Sequence, residues 1–224
     1  MTRLFQVFLF CVMAFFMSFP CMAEAAPKNW VEIEQEQPEK APAPVAFSAQ
    51  ELKRMSVFLS NFTEVGLYNI DAKEFLSGKN PSEMLWFGIR HNYINAFKRT
   101  VKPCPVPDCR YGSLVMDVKH VKQAFQRYFG SVPTQGLPSK DDDNRIFFDG
   151  TLYHFEGADG DPTYYAGVKS AVRLASGLTE MRGTIYNAEN PKEVTGTFVA
   201  LARDHVWNGK PTWALVRLET SSVH

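Results

Sequence analysis

The chain has little cysteine, no surplus charge and almost no long apolar run, and each shortage excludes something. Lysine and arginine together number 24, as do aspartate and glutamate, so the net charge is zero. Without a basic surplus the chain lacks the electrostatic footprint of a nucleic-acid binder or of a protein held on an anionic membrane surface. Four cysteines in 224 residues are too few for a disulfide-built scaffold. Beyond Phe19 no apolar stretch reaches the roughly 20 residues that span a bilayer. The nucleophile elbow G-x-S-x-G, the zinc signature H-E-x-x-H and the phosphate-binding loop are absent too, as is any repeat of about 20–50 residues. No motif announces a reaction and no cofactor is implied, so the composition favours a non-catalytic domain over an enzyme.

What is present begins with MTRLFQVFLFCVMAFFMSFPCMAEAAP. Arg3, the apolar run from Val7 to Phe19, helix-breaking Pro20 and the small residues of Ala23-Glu24-Ala25 have the layout of a cleaved secretory signal over residues 1–25. Two other readings compete: a retained membrane anchor, and a lipid on Cys21. The lipid reading is the poorer, because Ser18-Phe19-Pro20 lacks the small residue expected before a lipidated cysteine. Residues 26–46 are rich in Pro, Glu, Gln and Lys and can bury little, which predicts a disordered tether. Residues 47–224 remain for a single domain. The expected location is the periplasm or the extracellular space, with membrane contact only through an N-terminal anchor. The expected partner is a protein, peptide or cell-envelope component.

The domain opens with helical signals. Ser48 with Glu51 is a capping box ahead of Leu52, Met55, Leu59 and Phe62 at helical spacing. Asp71 with Glu74 starts a short helix stopped by Gly78. Asn80, Pro81 and Glu83 start a third, expected to run to Pro103 with Trp86, Ile89, Tyr93 and Phe97 as its apolar stripe. Residues 111–116 read as a strand. Asp117 caps a fourth helix with Val118, Val121, Phe125 and Tyr128 on one face, and Gly130 stops it. From Arg145 the period becomes two. Hairpins are expected around Asp149-Gly150, around Ser176-Gly177, and through a loop containing Asn208-Gly209-Lys210-Pro211. Helices followed by strands predict an α+β fold, with the N-terminal helices packed on a C-terminal antiparallel meander. A curved cystatin-like or NTF2-like sheet around a helix is the nearest analogy.

Chemistry has three candidate locations. In KPCPVPDCRYG, Cys104 and Cys109 are separated by four residues. A structural zinc site wants four N or S ligands, and His91 and His120 lie on predicted helices without knuckle spacing. A redox pair wants two intervening residues, and the prolines leave few backbone donors for a thiolate. In an exported chain the pair is expected to form a disulfide that pins a helix-to-strand turn, with no metal. The second location is GIRHNYINAFKR, where Arg90, His91 and Asn95 crowd a helix beside Trp86 and Tyr93. His91 and Asn95 share a face, and with Arg90 as an anion clamp they are the candidate ligand-binding group. No sequence neighbour polarises His91, so a solvated polar face is the plainer reading. A pocket between helix and sheet, lined by these residues with Phe148 and Tyr153, is the ligand-binding or enzymatic alternative. The third location is acidic: Asp141–Asp143, then Glu156, Asp159 and Asp161. It lacks the spacing of a calcium loop. Trp207, in HVWNGKP, is the one residue that suggests a protease-inhibitor wedge.

The blocks FLSNFTEVGLYNID, FGIRHNYIN and VKQAFQRYFG resemble those of a family of uncharacterised secreted or lipid-anchored bacterial proteins. Its members carry FLSNF-x-E-x-G, HNYIN and YFG blocks ahead of a β-rich half. The likeness spans about residues 47–219. It implies an α+β domain with no assigned activity, so no catalytic residue is carried over. The Cys104–Cys109 loop departs from the family pattern, which argues against the cysteines being the family's shared chemistry.

Overall fold

The Ser48 hydroxyl accepts from the Glu51 N–H at 3.3 Å while Glu51 Oε2 accepts from the Ser48 N–H at 2.7 Å, the reciprocal cap that Ser-x-x-Glu predicts. It opens helix α1, Ala49–Thr63, in a computed structural model that describes residues 46–157 and 163–222. The signal, all but the last residue of the tether, Asp159 and Asp161 lie outside the described residues. Asp71 caps α2, Ala72–Leu76; Asn80 caps α3, Pro81–Thr100; and Asp117 caps α4, Val118–Phe129. Gly130 ends α4 in the left-handed conformation that glycine adopts without steric cost. No helix among the described residues is long and apolar enough to cross a membrane.

The strands are β1 (Ile70–Asp71), β2 (Val101–Pro103), β3 (Leu114–Asp117), β4 (Phe147–Phe148), β5 (Leu152–Phe155), β6 (Tyr164–Arg173), β7 (Thr179–Asn187), β8 (Val194–Trp207) and β9 (Lys210–Ser222). The fold is α+β, with helices first and antiparallel strands after. The expected meander is present as β9-β8-β7-β6, with β1 added beside β9. Register shifts at Val168/Ser170, Ile185/Tyr186 and Leu201/Ala202 put an irregularity in each long pairing, and such bulges increase local twist.

Four expectations need correction. The Asp149-Gly150 hairpin does not join the meander: β4 and β5 pair with β2 and β3 in a second sheet, ordered β2-β3-β5-β4. The third helix stops at Thr100, not at Pro103. Pro103 restricts the residue before it to extended backbone, and Val101–Pro103 becomes an edge strand where the missing N–H is tolerated. The Cys104–Cys109 segment is therefore a hairpin loop between β2 and β3, not a helix-to-strand turn. In the last hairpin the strands run up to a two-residue Asn208-Gly209 turn, both residues at positive φ, and Lys210 and Pro211 belong to β9.

Helix α1 lies along the free edge of β6. The Ala166 N–H donates to Ser60 Oγ at 3.0 Å and the Val168 N–H to Ser56 Oγ at 2.9 Å, while Thr63 Oγ1 donates to the Tyr164 carbonyl at 2.9 Å. Side-chain hydroxyls thus satisfy backbone groups that an uncovered sheet edge would expose. The core between α1, α3 and α4 is aromatic: Phe62, Phe75, Phe87, Phe125, Tyr128 and Phe129 meet at ring-centroid distances between 5.2 and 6.3 Å. Gly88 lets α3 and α4 close on this core, since a Cβ there would come within 2.5 Å of Val121 Cγ1.

Candidate functional site

The buried face of α3 is rotated from the expected stripe. Of that stripe Ile89 is buried, Trp86 and Tyr93 are half-buried and Phe97 is exposed, while Met84, Leu85, Phe87, Gly88 and His91 are buried beside Ile89. His91 therefore points into the protein. Its ring stacks on Phe87 at 5.9 Å and meets the edge of Tyr128 at 4.7 Å. Its Nδ1 lies 3.7 Å from Glu64 Oε1, and both side chains are only 6% exposed. Asn95 bridges the pair: its amide donates to Glu64 Oε1 and sits 3.3 Å from His91 Nδ1. So His91 does have a carboxylate neighbour, but it comes from the end of α1, 27 positions earlier in the chain.

A second link completes the group. The Tyr128 hydroxyl donates to Asn61 Oδ1 at 2.7 Å, and Asn61 Nδ2 donates to the Val57 carbonyl at 2.6 Å. Burial raises the pKa of the Tyr128 phenol, which keeps it a donor. Asn92 ties α3 to α4 by donating to the His120 carbonyl at 3.2 Å. Asn61 and Glu64 come from FLSNFTE, His91 and Asn95 from HNYIN, and Tyr128 from YFG. The polar residues of three separated blocks therefore meet around one histidine.

Above this floor lies a cleft of about 290 Å³, lined among others by His91, Asn95, Arg99, His120, Arg127 and Trp207, with no aspartate or glutamate in its lining. Arg127 also lines a neighbouring hollow with Lys53, Arg54 and Asn61, again without a carboxylate. Its guanidinium sits over the Tyr128 ring at 4.9 Å, which orients the charge without neutralising it.

The candidate group splits in two. Arg90 follows a different face of α3, with its guanidinium 4.6 Å from the Trp86 ring and 5.7 Å from that of Tyr93. Trp86 Nε1 donates to the Val65 carbonyl at 2.8 Å. Arg90, Trp86 and Tyr93 are thus separated from His91 and Asn95 by the 100° step between helical neighbours. Tyr153 is fully buried and donates to the Pro138 carbonyl, so it serves the second sheet and not the cleft. The acidic loop is tied down by protein donors: Asp141 accepts from the Ile146 N–H at 2.8 Å and Asp142 from the Ser82 hydroxyl of α3 at 2.7 Å. Sequence reasoning missed Glu64, Asn61, Arg99 and Arg127. The signal available was the spacing of Asn61 and Glu64 within the first block.

The expected Cys104–Cys109 disulfide is not formed; both cysteines are free. A histidine 50 residues away stands against both thiols, with His154 Nδ1 3.3 Å from Cys104 Sγ and 3.5 Å from Cys109 Sγ. His154 Nε2 is 3.0 Å from Asp149 Oδ2. The loop does supply backbone donors despite its prolines. The Tyr111 N–H, the Cys104 thiol and His154 lower the pKa of Cys109, whereas desolvation raises that of Cys104. Burial works against a charge on His154, but its bonds to Asp149 and Cys109 outweigh this and raise its pKa. The His154 bond holds the Asp149 carboxyl down at about 2.

No family model, curated protein or solved structure matches the chain.

Proposed function

We propose that the chain is an exported binding domain whose cleft over His91 holds an anionic group, phosphate or carboxylate, of a cell-envelope component. One observation carries this reading: the polar residues of three sequence blocks converge beneath a cleft whose lining has two arginines and no carboxylate. Arg99 and Arg127 supply the charge, and guanidinium forks suit planar or tetrahedral oxyanions. The Asn95 amide donates to Glu64 and to the His91 carbonyl, so the floor contributes by holding His91 in place beneath the two arginines.

A catalytic reading of the His91–Glu64 pair has less support. A base–carboxylate pair needs a nucleophile within hydrogen-bond reach, and among the described residues no hydroxyl or thiol bonds to His91. The nearby Thr100 hydroxyl donates to the Ala96 carbonyl at 3.0 Å. The inhibitor reading is weaker still, because Trp207 is half-buried along the cleft and does not project as a wedge.

The test is thermal melting with inorganic phosphate, glycerol phosphate and citrate in turn. At least one should raise the melting temperature, and Arg99→Gln with Arg127→Gln should abolish the rise. Each lost charge-assisted contact costs about 1.5–3 kcal/mol, roughly tenfold or more in affinity. A rise that persists in the double variant, or none with any of the three anions, refutes the reading.

A further inference from the structure

The second sheet carries a constellation that shares no residue with the cleft. Cys104 leaves β2, Cys109 lies in the hairpin loop and His154 sits on β5, where it pairs in register with Val115 of β3 and Phe147 of β4. The three donor atoms lie within 4.8 Å of one another. We propose that Cys104, Cys109 and His154 bind a soft divalent cation, zinc foremost, with water in the fourth position and Asp149 as the outer carboxylate that orients the histidine.

Four features carry this assignment. The first is spacing. Zn–S bonds of about 2.3 Å and Zn–N bonds of about 2.0–2.1 Å at a tetrahedral angle place sulfur and nitrogen roughly 3.5 Å apart. The two S···N distances here are 3.3 and 3.5 Å. The second is the tautomer. With Nε2–H donating to Asp149, Nδ1 presents a bare lone pair towards both sulfurs, the carboxylate–histidine arrangement that supports a metal ligand. The third is rigidity. Asp149 is itself fixed by accepting from the Thr151 and Leu152 N–H groups at 2.8 and 2.7 Å. The cysteine loop is closed at its base by the Cys104 N–H on the Ser113 carbonyl at 2.8 Å. The fourth is donor softness: two sulfurs and one imidazole select zinc over the hard divalent cations magnesium and calcium. The Tyr111 ring, stacked on Phe147 at 4.5 Å, adds apolar cover beside the histidine.

Binding replaces the protons of the thiols with the ion, so acid weakens it and protons are released on titration. Three protein ligands leave one coordination position to solvent, which makes the ion exchangeable and accessible to a small ligand.

The test uses the full chain, purified with reductant and without metal, and titrated with cobalt(II) as a spectroscopic stand-in for zinc. The proposal predicts one equivalent of cobalt, a sulfur-to-cobalt charge-transfer band and tetrahedral d–d bands, all reversed by zinc. Cys109→Ser and His154→Gln should abolish the charge-transfer band or reduce its intensity, with circular dichroism checking that each variant folds. Asp149→Asn should keep the stoichiometry and weaken affinity about 10–100-fold. No charge-transfer band in the folded wild type overturns the site. So does a chain recovered from its native compartment with the two cysteines joined, seen as a mass lower by two hydrogens and no titratable thiol.

Discussion

Tyr128 and Asn61, 67 residues apart, are joined by a buried hydrogen bond of 2.7 Å from phenol to amide oxygen. The bond links α4 to α1 beside His91 and forms one wall of the polar floor. Tyr128→Phe leaves the Asn61 oxygen buried without its donor, which costs about 1–3 kcal/mol. Asn61→Ala should cost a similar amount, and the double variant less than the sum. Urea denaturation of the four proteins measures the coupling; strictly additive losses would show that the two residues do not act together.

The covered edge of β6 gives a second prediction. Ser56→Ala with Ser60→Ala removes the acceptors of the Val168 and Ala166 N–H groups. Each orphaned donor costs about 1–3 kcal/mol where water cannot replace it. Hydrogen exchange should show β6 amides losing protection before those of β8. Unchanged protection at 166 and 168 would mean that the hydroxyls are dispensable.

Gly112 gives the third. It has φ +126, and a Cβ there would stand 2.3 Å from the Phe155 backbone carbonyl. Gly112→Ala should lose about 1–3 kcal/mol from backbone strain alone, displace the cysteine loop from β5 and weaken cobalt binding with it. A variant with wild-type stability and metal affinity would contradict this account of the loop.

Part of the acid sensitivity follows from the helix caps. The Ser48 backbone N–H lowers the pKa of Glu51, and the Lys119 backbone N–H lowers that of Asp117. A depressed carboxylate stabilises the fold above its unfolded value, and that stability is lost as pH falls through the folded one. Unfolding followed from pH 7 downwards should therefore show stability decreasing below about pH 4.3, the ordinary glutamate value. Glu51→Gln with Asp117→Asn should reduce that slope; an unchanged slope would place the acid sensitivity elsewhere.

Much of the helical half was legible because its signals are local. Ser48, Asp71, Asn80 and Asp117 cap helices from within three residues, and each starts one. The α+β class followed from the order of those helices and the later period-two segments. Strand partners were less legible, because register is set across the chain: nothing near Asp149-Gly150 says that its hairpin pairs with Leu114–Asp117. The same limit governed the sites. His91 and Asn95 share a helical face and were paired, yet Glu64 reaches them from another helix. Cys104 and Cys109 were visible as a pair, but His154 reaches them only through the β3–β5 register. Adjacency in sequence joins Arg90 to His91, but on a helix it separates their side chains.

The central claim is that an anion sits over His91, and nitrogen-15 NMR during a phosphate titration tests it most directly. The account predicts saturable shifts in the Asn95 side-chain amide, the His91 ring and the Arg99 and Arg127 Nε–H signals, with the Cys104–Ser113 loop unmoved. Shifts scattered over the surface, or centred away from the His91 cleft, would contradict it.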